Sequence, residues 1–342
     1  MTSATTDLIC RVEGGLGHIT LNRPASLNAL TRPMIDGMYR TLRGWLKNRH
    51  VERVLIDGSG DRAFSAGGDI AIVYLSALAD GSAGRKLWQH EYALDRYVAN
   101  YPKPMIAILN GMVLGGGVGI GAHRKYRVVT ERTQLAMPEV AIGLAPDVGG
   151  LFLLAKLPGE LGTHLALTGF RLNGEQLIAY GLADSYVLSA DVPDLVDSLS
   201  AIEIETSLER FKTGTIQPSR VPFVLNDCYE SNDVATILER LRSRKSDEAV
   251  AAAGAIERGC PMALKVTLAA FRRAQRMSTL EECLRQDLML SKQFLARSDI
   301  IEGIRAAIIE KDRNPTWSPP NLSDVDESTV ESFFLAERPS FD

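Results

Sequence analysis

The chain has 342 residues, 45% of them hydrophobic and 23% charged, with 38 basic against 42 acidic side chains. At roughly 100–200 residues per domain, that length allows about two domains with a sizeable core, and the composition excludes a disordered chain. A formal charge of −4 removes the electrostatic case for a dedicated nucleic-acid binder.

In chain order, Asp7–Val12 and His18–Leu21 read as a hairpin across the glycine-rich turn at 13–17. Met34, Met38, Leu42 and Trp45 recur at helical spacing, which predicts a helix over 31–47 with Thr31 as its N-cap. Val54–Asp57 reads as a short buried strand, 85–100 as a helix stopped before Pro102, and Pro104–Leu109 and Tyr126–Thr130 as two more strands. Such alternation argues for an α/β core with functional residues on its loops. Beyond about residue 200 glycine becomes rare. Asp233–Arg244, Cys260–Arg276 and Leu280–Ala296 read as amphipathic helices. We therefore expect a core over residues 1–205 and a helical region over 206–342, with a soft boundary near 200–215.

The four cysteines (10, 228, 260, 283) form no CxxC and no zinc spacing, so buried free thiols are expected and no metal site. The first fifteen residues contain no apolar or Arg-rich targeting pattern. The stretch 104–122 is broken by Asn110 and six glycines, a poor membrane span. The cytoplasm is the expected compartment.

Three segments carry chemistry. Residues 109–122 run from strand through a glycine-rich turn into a small-residue helix, where the first N–H groups point at whatever sits there. Gly117, Gly119 and Ala122 satisfy G-x-G-x-x-G/A, with Glu139 downstream. However, the strand at Tyr126 leaves only about two helical turns, too few for a dinucleotide-binding unit. Residues 62–70 hold Gly67-Gly68 between apolar residues and Asp69. Paired with the turn at Gly115–Gly117, this loop offers two backbone N–H groups from separate loops, the construction an oxyanion hole needs. In 136–150, Glu139 and Asp147 sit in an otherwise apolar or Gly/Pro stretch. Buried carboxylates of this kind are candidates for acid, base or nucleophile, although Asp147 also suits the N-cap of a helix over 149–157. GxSxG, GxxxxGK[ST] and HExxH are all missing, and the five histidines are scattered.

Together FSAGGDI (64–70), GGGVG (115–119), MPE (137–139) and PDVGG (146–150) resemble the enoyl-CoA hydratase/isomerase (crotonase) superfamily, and within it the hydroxyacyl-CoA hydrolase branch. LNRP (21–24), LNA (27–29), ALTGFRL (166–172), EGIRA (302–306) and KDRNPTW (311–317) fit as well. The resemblance implies an α/β spiral of repeated β-β-α units with a mostly helical C-terminal region. It implies that Gly68 and Gly116 donate the oxyanion N–H groups and that Glu139 and Asp147 are catalytic. Glu91 would be a further acidic site residue, and Ala25, Ser26, Leu27 and Ala66, with Asp69 and Ile70 beside them, would meet the CoA adenine end. A hydratase of this superfamily has a glutamate at the position occupied here by Gly119.

The expected activity is hydrolysis of a short-chain hydroxyacyl-CoA, foremost 3-hydroxyisobutyryl-CoA in valine breakdown, with no cofactor beyond the CoA of the substrate. Glu139 attacks the thioester in one route and activates water in the other. The competing readings are an enoyl-CoA hydratase or isomerase, against which Gly119 speaks, and a non-catalytic acyl-CoA binder, against which the intact acids and glycines speak. Neither nucleic acid nor membrane is an expected partner. Homo-oligomers are common in the superfamily, although the added C-terminal helices compete for the surface they use.

Overall fold

The computed structural model describes residues 6–213 and 224–335. Residues 1–5, which open the stretch searched for a targeting pattern, lie outside them, as do 214–223 beside the expected boundary.

The strands are β1 (Leu8–Glu13), β2 (Leu16–Leu21), β3 (Arg53–Gly58), β4 (Ala63–Ser65), β5 (Met105–Leu109), β6 (Met112–Leu114), β7 (Arg127–Val129), β8 (Gln134–Ala136), β9 (Leu172–Asn173) and β10 (Ser185–Tyr186). They form a six-stranded sheet in the order β1-β2-β3-β5-β7-β10 and a four-stranded sheet in the order β4-β6-β8-β9. In the long sheet only β1 and β2 pair antiparallel; the other neighbours are parallel. The hairpin is tighter than its sequence suggests, with Gly14 and Gly15 alone at the turn and both at positive φ. The central strand β5 is buried at every residue, as its unbroken apolar run requires of a strand covered on both faces.

The expected β-β-α repeat is visible in the pairing. β3 enters the long sheet, β4 the short one, and the helix Ile70–Ala77 follows; then β5, β6 and the helix Gly116–Gly121 repeat the order. That second helix has six residues, so the dinucleotide-like glycine pattern opens no full crossover helix. The helix Arg32–Lys47 starts where expected: the Thr31 side chain accepts the Met34 N–H.

Two compact units divide the chain, and their segments alternate along it. The first holds Met1–Gly68, Ala93–Leu135 and Arg171–Arg220; the second holds Asp69–Tyr92, Ala136–Phe170 and Val221–Asp342. This differs from the sequential division at residue 205, because a change of texture is read along the chain whereas compactness comes from packing. In the first unit Leu55, Ile106 and Val128 of the long sheet share a core with Leu195, Leu199 and Leu208. In the second, Val140 and Leu167 share one with Ile237, Leu241, Ile256 and Leu268 of the C-terminal helices. Among the described residues no helix is long and apolar enough to cross a membrane.

Candidate active site

In the first unit the two glycine turns meet. Gly67 adopts φ +96°, and a Cβ placed there would lie 3.0 Å from the Leu114 carbonyl oxygen and 3.1 Å from the Gly116 nitrogen. Only glycine permits both the backbone angle and that approach. The Gly67 carbonyl accepts the Leu30 N–H at 2.8 Å, so the Gly68 N–H takes no part in that bond. Ser65 fixes the turn: its hydroxyl donates to the Asn28 carbonyl at 3.0 Å and accepts the Gly67 N–H at 3.2 Å. Gly116 is the first residue of its helix, so its N–H has no intrahelical acceptor. The two turns thus approach each other beside the paired strands β4 and β6, and two backbone donors from separate turns are what an oxyanion hole needs.

The expected adenine-end residues also gather here. Ala25 and Ser26 lie in the short 3₁₀ turn Pro24–Ser26, Leu27 follows at φ +53°, and the Ala66 N–H donates to the Leu27 carbonyl at 2.9 Å. The loop also has a guanidinium that its sequence did not identify. Arg62, exposed, donates from Nη2 to the Pro24 carbonyl at 2.7 Å. Asp69 and Ile70 start the helix Ile70–Ala77 in the second unit.

Gly119 differs in kind from the turn glycines. A Cβ there would meet Asp95 Oδ1 at 2.6 Å and Asp95 Oδ2 at 2.7 Å. Asp95 is fully buried on the helix Ser82–Ala99. A second carboxylate thus occupies the space of the missing 119 side chain.

The second unit gathers the acids. Glu91, Glu139, Asp147 and Asp287 are all buried, at 2%, 6%, 6% and 1% exposure. Glu139 opens the 3₁₀ turn Glu139–Ile142, and its Oε2 has no hydrogen-bond partner among the described residues, nor has Glu91 Oε1. Asp147 is not the helix cap its sequence context suggested: Gly149 is the N-cap of Gly150–Leu154, with no side-chain bond. The Asp147 carboxylate instead accepts the Tyr92 hydroxyl at 2.6 Å, and Tyr92 lies 2.8 Å from the Ser291 hydroxyl. Asp287 accepts the Gly149 N–H at 2.8 Å.

Buried carboxyls that feel one another's charge oppose one another's ionisation. Burial, followed by the charge of Asp147, pushes Glu139 well above the usual carboxylate range. The same two causes push Glu91 up to about 8. Asp147 rises only to about 6, because the Tyr92 hydrogen bond and its own backbone oppose burial. Burial thus raises all four carboxyls, and a tyrosine hydroxyl opposes that rise at Asp147 alone.

The sequence had isolated Glu139 and Asp147, the resemblance had added Glu91, and the structure brings the three within reach of one another's charge. Tyr92, Asp287, Ser291 and Cys283 were missed. A signal was present: Cys283, Asp287 and Ser291 recur every four residues, on a helix (Leu280–Leu295) whose Leu284, Leu288 and Leu290 are buried.

The sequence model of the Enoyl-CoA hydratase/isomerase family matches residues 16–334. The chain is 38% identical to the 3-hydroxyisobutyryl-CoA hydrolase, mitochondrial, of Danio rerio, over 98% of this chain and 92% of that protein. Its fold superposes on the crystal structure of a carnitinyl-CoA dehydratase from Mycobacterium thermoresistibile with TM-score 0.92, at 40% identity over 99% of both chains. For an enoyl-CoA hydratase from Rhodobacter sphaeroides 2.4.1 the TM-score is 0.90, at 38% identity over 97% of this chain and 98% of that one.

Proposed function

The chain belongs to the enoyl-CoA hydratase/isomerase family, and from that premise we propose that it hydrolyses a short-chain hydroxyacyl-CoA, 3-hydroxyisobutyryl-CoA foremost, to the free acid and CoA. The observation that carries this reading is the buried carboxyl cluster of Glu139, Asp147 and Glu91. It accompanies full-length likeness to a protein named for that hydrolysis and a glycine at position 119.

The Gly68 and Gly116 amides polarise the thioester carbonyl, each oxyanion donor being worth about 3–4 kcal/mol in the transition state. Glu139 passes its proton to Asp147 and attacks the carbonyl carbon. The C–S bond breaks, and the departing thiolate takes the proton from Asp147 as a mixed anhydride forms on Glu139. Water then cleaves the anhydride, with Asp147 accepting its proton. In the general-base route Glu139 stays uncoupled from the acyl group and water attacks directly. Neither route needs a cofactor beyond the CoA of the substrate. Valine breakdown and a cytoplasmic setting are parts of the proposal; the mitochondrial label belongs to the named relative.

A second reading, hydration or dehydration at the acyl chain, is favoured by Asp95, whose carboxylate lies against Gly119. Thiol release measured across 3-hydroxyisobutyryl-, 3-hydroxypropionyl- and crotonyl-CoA separates the two. Fast release from the hydroxyacyl thioesters supports hydrolysis; fast hydration of crotonyl-CoA without thiol release overturns it.

A further inference from the structure

The helix Leu280–Leu295 presents Cys283, Asp287 and Ser291 at intervals of four residues, each at most 1% exposed. Polar groups cost free energy on a buried helix face unless each has a partner. Here their partners lead to Asp147. Tyr92 has a single hydroxyl proton and donates it to Asp147 Oδ2, so its contact with Ser291 must be a bond in which the serine donates. Two residues beyond Asp147, the Gly149 N–H donates to Asp287 Oδ2, and Cys283 Sγ lies 3.8 Å from both oxygens of that carboxyl. The intervening Val148 adopts φ +51°, a left-handed angle that strains a β-branched residue. The Asp287 bond is placed to hold that strained turn, and with it the backbone of Asp147.

We propose that this polar stripe positions Asp147 for the reaction: Ser291 orients the Tyr92 hydroxyl, Tyr92 fixes the Asp147 carboxylate, and Asp287 anchors the following turn. The proposal rests on the reading that Asp147 serves thioester cleavage, and it assigns positioning roles to the C-terminal helix. The titratable groups facing Asp147 are Glu91 and Tyr92 from the helix Ser82–Ala99, Glu139 from its 3₁₀ turn, and Asp287 and Cys283 from the stripe. All except Tyr92 repel or leave unaided a charge on Asp147. The Tyr92 bond favours that charge, with the backbone of Asp147 itself.

Tyr92→Phe removes the donor. The expected result is a fall in kcat of about tenfold or more, as for losing a hydrogen bond to a charged group, with KM changed by less than about twofold. The acid limb of the kcat profile moves to higher pH, because losing this bond raises the Asp147 pKa. Ser291→Ala acts in the same direction with smaller size, and adds nothing in the Tyr92→Phe background. An unmoved acid limb, or independent additive effects, overturns the proposal. Should Tyr92→Phe fail to fold, the acid limb of Ser291→Ala decides alone. A measurement without turnover separates this from the activity itself: in 13C-carboxyl-labelled protein, the Asp147 resonance, identified by its loss in Asp147→Asn, titrates at higher pH in Tyr92→Phe than in the wild type. If the wild type cleaves no acyl-CoA, the hydrolase reading falls, and that titration still decides whether the relay exists.

Discussion

Glu91 offers a direct measure of what the acid cluster costs the fold. Its carboxyl is pushed from 4.5 up to about 8, first by burial and then by the charge of Asp147. Below pH 4.5 the group is protonated both folded and unfolded, and it contributes no pH dependence. As the pH rises towards 8, the unfolded chain releases this proton and the folded chain keeps it, so stability falls. At about 1.4 kcal/mol per pH unit the loss reaches on the order of 5 kcal/mol as a ceiling, the coupling among the carboxyls dividing it between them. Glu91→Gln replaces the carboxyl by a neutral isostere and removes that slope. We expect urea unfolding free energies of the variant to match the wild type near pH 4.5 and to exceed them by several kcal/mol at pH 8. Parallel wild-type and variant curves from pH 5 to 8 would refute a proton-holding Glu91, and with it the shared-proton account of the cluster.

Glu139→Gln should lower thiol release by about 10²–10⁴-fold, and 18O from solvent water should appear in Glu139 of the wild type after turnover; protein without label rules out a covalent route in which water attacks the Glu139 carbonyl carbon. Gly119→Ala places a Cβ 2.6 Å from the Asp95 carboxylate and should cost about 1–3 kcal/mol in denaturant unfolding. Asp95→Ala should relieve that cost in the double variant, so additive effects would contradict the contact. His164 lies with Nδ1 2.8 Å from the Tyr229 hydroxyl, and burial pushes its pKa down to about 4. The folded state therefore resists protonation, and the His164 contribution is lost as the pH falls from about 6.5 through 4. Against His164→Gln the wild type should show an acid-side stability slope of up to about 3 kcal/mol in all, and its absence would count against a neutral buried imidazole.

The parts of the site legible in the sequence are those that local chemistry marks. Glycine-rich turns, and two acids stranded in apolar surroundings, stand out within a window of ten residues; the turns at 67–68 and 115–117, Glu139 and Asp147 are marked that way, whereas the choice of Gly68 and Gly116 within the turns came from the resemblance. Tyr92 and Ser291 are 199 residues apart, and Gly149 and Asp287 are 138. No local window joins them. Asp287 was also disguised, because Glu281, Glu282, Arg285 and Lys292 on the same helix make it read as one more solvated charge. The interleaved units were invisible for a related reason: segments 69–92 and 136–170 have the composition of the α/β part and the packing partners of the helical part.

The composition of the cluster bears on the mechanism itself. The neighbours whose charges raise Glu139 are Asp147, Asp287 and Glu91, all acids, so these carboxyls oppose one another's ionisation. A purely structural pocket would be more stable with glutamines or leucines in these places, since buried ionisable groups rarely repay their desolvation. In the proposed mechanism, what these acids provide is a mobile proton. Ionising Glu139 alone would put a second negative charge beside Asp147. Handing its proton to Asp147 leaves the number of charges unchanged, and avoids most of that cost. The same transfer run backwards makes Asp147 the base again. Both routes to thioester cleavage draw on that exchange, so each depends on the hydroxyl of Tyr92 keeping Asp147 the more acidic of the pair.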